Sequence, residues 1–79
     1  MNKESIKDEI SDFKRRGGDF CFTFGDVKLP VVYHESIGMI GVKMPAHEVF
    51  VPVDYNQDLG DNLDSLMNKL LEKNPQLTD

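Results

Sequence analysis

Asp19-Phe20-Cys21-Phe22-Thr23-Phe24-Gly25-Asp26-Val27-Lys28-Leu29 is the stretch that decides the fold. Its phenylalanines occupy alternate positions, which in an extended chain puts Phe20, Phe22 and Phe24 on one face and Cys21 on the other. Gly25-Asp26 separates this run from Val27–Tyr33 and reads as a two-residue turn with glycine first, a type whose twist suits the flanking strands. The stretch predicts an antiparallel hairpin.

Outward from the hairpin the hydrophobic period changes. On the N-terminal side Ile6, Ile10 and Phe13 repeat at helix spacing from about Lys3 to Arg16. Glu4, Asp8 and Glu9 lie early and Lys14-Arg15-Arg16 late, as the helix dipole prefers, and Gly17-Gly18 ends the helix. On the C-terminal side Tyr33–Ser36 forms a bend, Ile37–Met44 a third strand, and Glu48–Val53 a fourth after the break at Pro45-Ala46-His47. Pro30 and Pro52 donate no ladder hydrogen bond, so Pro30 is expected at an edge or a bulge and Pro52 at an edge or a strand end. Leu59, Leu63, Leu66, Met67, Leu70 and Leu71 return to helix spacing, between a cap at Asp58 or Asp61 and the stop at Asn74-Pro75. The expected fold is α+β, one small domain over residues 1–79: an antiparallel four-stranded meander flanked by N-terminal and C-terminal helices, α-β-β-β-β-α. Both helices pack on one face of the sheet, over the three phenylalanine rings, and residues 75–79 form a frayed tail.

A chain of 79 residues buries a modest core, and its lone cysteine, Cys21, excludes an internal disulfide. A second copy of the chain is therefore a candidate partner, with apolar surface expected on the second sheet face at Val49–Val53 or at Ile40 and Val42. The N-terminus has no apolar leader and no run approaches the roughly 18 apolar residues of a membrane span, so a soluble, cytoplasmic protein without a membrane partner is expected.

The net charge of −5 is unevenly placed: +1 through Gly18, −2 from Asp19 to Val53, and −4 from Asp54 onward. An acidic domain does not attract phosphate backbones by its overall field, which disfavours nucleic acid and favours a protein partner with a basic surface.

No constellation carries catalysis. Asp54-Tyr55-Asn56-Gln57-Asp58-Leu59-Gly60 resembles the opening of a calcium loop, but Leu59 and Ser65 stand where the sixth-position glycine and twelfth-position glutamate belong. His34-Glu35 and His47-Glu48 lack the spacing of a zinc site, and neighbouring residues of a strand point to opposite faces. Cys21, in mid-strand, has no activating motif. No catalytic residue, cofactor or metal is therefore expected. The expected function is that of a small acidic, non-enzymatic protein-binding or regulatory accessory protein. Its binding residues are Asp54, Tyr55, Asp58, Asp61 and Asp64, at the start of the last helix, where charge steers the partner and Tyr55 adds contact area. Two other classes compete: a nucleic-acid accessory protein using Lys14, Arg15, Arg16 and Lys28, and a small-molecule or metal-dependent enzyme using His34 or His47.

Overall fold

The computed structural model describes residues 3–78, with side chains from Ile6 to Leu77. The chain runs α1 (Lys3–Arg15), β1 (Cys21–Phe24), β2 (Val27–His34), a 3₁₀ helix (Glu35–Ile37), β3 (Met39–Lys43), β4 (Glu48–Pro52), α2 (Leu59–Lys73) and a second 3₁₀ helix (Pro75–Thr78). The strands form one antiparallel sheet in the order β1-β2-β3-β4. This is the expected α-β-β-β-β-α meander.

Gly25, at φ 61°, opens the β1–β2 turn and Asp26 keeps a negative φ, which makes it the glycine-first hairpin with Phe24 opposite Val27. Gly38, at φ 65°, ends the first 3₁₀ helix and lets the chain re-enter the sheet as β3. Asp58 caps α2: its carboxylate accepts the Asp61 N–H at 2.8 Å. Replacing it, Asp58→Ala, is expected to lower stability by about 1 kcal/mol in urea unfolding. A loss below a few tenths would mean that Asp61 or water takes over the cap.

Alternation selects the faces. Leu29, Val31, Ile40, Val42, Val49 and Val51 point to one side of the sheet and are buried with Ile6 and Ile10 of α1 and with Leu66 and Leu70 of α2. Both helices thus cover the same face, as their narrow apolar stripes require. Among the described residues, no α-helix lies on the other face.

Four expectations need correction. The phenylalanines do not fill the centre: Phe20, Phe22 and Phe24 are half-buried at its margin, while Ile6, Ile40, Val42, Leu66 and Leu70 are the fully enclosed apolar residues. β1 is a short edge strand, and α2 packs over β3 and β4 instead. Val49, Val51, Val53, Ile40 and Val42 lie in the core and not on the second face. Pro30 sits in an inner strand rather than at the sheet's edge. β2 pairs with β1 through Val27–Pro30 and with β3 through Val31–His34, so the exchange of partners falls where Pro30 has no N–H to offer β3. Finally, Pro75–Thr78 continues as a 3₁₀ helix with Leu77 packed on the core, where a frayed tail was expected; Asp79 lies outside the described residues.

Candidate functional site

The acidic start of α2 is built around a side chain that sequence reasoning missed. Asn62, 2% exposed, accepts the Asp54 N–H at 2.7 Å and donates to the carbonyls of Asp54 (3.0 Å) and Asp58 (2.8 Å). It lies one turn before Leu66 on the buried stripe of α2, and that spacing is the signal that would have found it. The loop it anchors contains the expected binding residues.

Their roles divide. The Asp54 carboxylate accepts the Asn56 N–H at 2.9 Å, and Asp58 is the cap, so both shape the backbone. Tyr55 is half-buried against the core, with its hydroxyl 2.8 Å from that of Tyr33. Burial first, then the Tyr55 hydrogen bond, pushes the Tyr33 phenol above its usual range. Asp61 and Asp64 are exposed neighbours one turn apart, and no ion pair among the described residues holds their carboxylates.

The uncovered sheet face is the second region. Val32 and His34 of β2, Met39, Gly41 and Lys43 of β3, and Glu48, Phe50 and Pro52 of β4 point to it by register. At its centre His34 Nε2 lies 2.5 Å from Glu48 Oε2, reaching diagonally across Gly41 of the intervening strand. Glycine is required there: a Cβ at Gly41 would stand 2.6 Å from Glu48 Oε2 and 2.9 Å from the Phe50 Cβ. Beside the pair is a shallow hollow of about 210 Å³ lined by His34, Ile37, Glu48 and Phe50, none of which offers a hydroxyl or thiol nucleophile. Ile37 is 65% exposed and Phe50 43%. Because the Val53 N–H donates to Gly38 O at 2.9 Å, Ile37 sits next to the Asp54 turn, and the apolar face adjoins the acidic loop.

His34 is brought to Glu48, fourteen residues away, and not to Glu35; Glu35 instead pairs with Lys7 at 3.3 Å. His47 is exposed in the β3–β4 connection. Among the described residues no group of three or more His, Cys, Asp or Glu side chains is arranged to hold a metal ion. Cys21 is half-buried, and by register its side chain lies on the uncovered face. The basic edge is partly occupied by its own acids: Arg15 pairs with Asp12 at 3.0 Å, Arg16 Nε donates to the Asp12 carbonyl at 3.4 Å, and Lys28 pairs with Asp19 at 3.5 Å. Such exposed pairs are worth little individually, but they divide the positive field that phosphates would need. No helix among the described residues is long and apolar enough to cross a membrane.

Fold and surface together define a small α+β meander protein with one helix-covered and one bare sheet face. Compared with protein-family models, with curated proteins and with solved structures, the chain gives no significant match.

Proposed function

We propose that this protein is a non-enzymatic protein-binding accessory factor whose docking surface joins the bare sheet face to the acidic start of α2. The observation that carries this reading is the exposure of Phe50 and Ile37 on a face that no helix among the described residues covers, with Ile37 beside the Asp54 turn that leads into the acidic start of α2. An exposed aromatic beside an aliphatic side chain is the usual kind of anchor in an interface centre, where desolvation supplies affinity. The segment from Asp54 onward that this face adjoins has a net charge of −4, so the complementary partner presents apolar groups rimmed by lysine or arginine. Asp54 and Asp58 hold backbone groups and shape this rim; Asp61 and Asp64 are free to steer.

The test is quantitative capture from host lysate with three forms of the protein: unaltered, Ile37→Ser/Phe50→Ser, and Asp61→Asn/Asp64→Asn. All four positions are exposed, so the variants should fold normally, which thermal unfolding checks. Recovery of a stoichiometric partner is expected to fall about tenfold or more with the apolar pair changed. With the aspartates changed, binding should lose most of its salt dependence. Recovery insensitive to both changes overturns the proposal, and nucleic acid as the recovered partner transfers it to the basic edge.

A further inference from the structure

The second half of β2 has a strand partner on one side only. The Val31 N–H donates to Phe20 O at 3.0 Å, the last contact from β1. In an antiparallel strand the N–H and C=O of alternate residues face the same edge, so Tyr33 directs both groups to the side of Val31 and away from β3. β1 has already left that side, since the Cys21 N–H folds back to Asp19 O at 2.9 Å. A notch of about 260 Å³ remains, with Lys7, Ser11 and Lys14 of α1 facing Phe20, Val31 and Tyr33.

The notch is chemically polarised. Lys7 and Lys14 both line it, two turns apart on α1, whereas the acidic Asp8, Glu9 and Asp12 of the same helix do not. Glu35 is the one acidic side chain that lines the notch, and it pairs with Lys7 at 3.3 Å, which leaves Lys14, with no ion pair among the described residues, as the uncompensated charge. This concentrates positive charge in a chain of net charge −5. The volume falls below the roughly 300 Å³ at which small-molecule pockets begin, which suits a short length of extended chain better than an engulfed ligand.

We propose that this notch receives an extended acidic peptide segment, which adds to β2 as a short strand. Its main chain exchanges hydrogen bonds with Tyr33 and its carboxylates meet Lys14 and Lys7. The site is separate from the bare sheet face and stands or falls independently of it.

The experiment is a nuclear magnetic resonance titration of the full chain with acetyl-Thr-Glu-Val-Glu-Thr-amide. Expected are shifts confined to the amides of Val31–Glu35 and of α1, with slowed hydrogen exchange at Tyr33. Binding should weaken at least about tenfold for Lys14→Glu, which is exposed and should not disturb folding, and about as much when the peptide's central valine is N-methylated, which removes a strand hydrogen bond. Three results overturn the proposal: no shift at Val31–Glu35, equal binding of the lysine-for-glutamate peptide, or equal binding of the N-methylated peptide. If glutarate alone reproduces the shifts with the same affinity, the notch takes a free dicarboxylate and the peptide assignment is wrong.

Discussion

Asn62→Ala is expected to lower stability by about 2–4 kcal/mol, the largest loss anticipated for any polar position in this chain. The side chain is 2% exposed and makes three hydrogen bonds, all to the backbone of the loop that leads into α2. Each bond is worth about 1 kcal/mol net, and truncation also leaves the Asp54 N–H without this partner, while the carbonyls of Asp54 and Asp58 keep the backbone N–H groups of Gln57 and Asn62. For a small domain stable by roughly 5 kcal/mol, this is enough to populate the unfolded state visibly. Urea unfolding measures the loss, and hydrogen exchange at the Asp54 amide should accelerate with it. Asn62→Asp should do no better, because its carboxylate would face two carbonyl oxygens where the amide now donates. If Asn62→Ala costs less than about 0.5 kcal/mol, the loop is held by other contacts.

Gly41→Ala is expected to cost about 1–3 kcal/mol and to break the contact between His34 and Glu48. The new methyl would lie 2.6 Å from Glu48 Oε2, 2.9 Å from the Phe50 Cβ and 3.2 Å from the Val49 carbonyl oxygen. The glutamate can swing away, and in doing so releases His34. The Phe50 Cβ and the Val49 carbonyl are fixed to β4, so relief of those contacts must displace one strand from the other. Ordinary strand preference favours alanine over glycine, which makes the sign of the effect diagnostic. The His34 ring signals should move in the nuclear magnetic resonance spectrum of the variant, and its unfolding midpoint should fall. An unchanged midpoint with unmoved ring signals would show that β4 accommodates a side chain at this point and that the glycine is incidental.

Both effects concern residues whose importance is invisible locally, which marks how far the sequence could be read. The Phe20-Phe22-Phe24 alternation, the glycine-first turn and the leucine spacing of α2 depend on contacts within a few residues, and they led to the element order and the antiparallel meander. Asp58 as a cap was legible for the same reason: its partner, the Asp61 N–H, is three residues on. Asn62 was legible in principle, being a polar residue four before Leu66 on an apolar stripe. Its partners, however, belong to a loop whose path is set by packing. Glu48 was not legible at all. Its neighbour His47 points elsewhere, and its true partner His34 is two strands away, reached only because the registers Val32↔Gly41 and Gly41↔Phe50 place a side-chain-free residue between them.

The proposed binding surfaces follow the same division. Amino-acid order by itself determined the charge gradient toward the C-terminus and the positions of Asp61, Asp64, Lys7 and Lys14 along their helices. Tertiary structure decided which sheet face both helices would cover, and so left Phe50 and Ile37 exposed while burying Val49 and Val51. It also turned Pro30 from an edge marker into the point where β2 exchanges partners, leaving Tyr33 at an unpaired edge. Periodicity and capping are short-range effects that each segment carries with it. The choice of face, the register across three strands and the ends of strand pairing arise only when distant segments compete for the same apolar area and the same backbone hydrogen bonds.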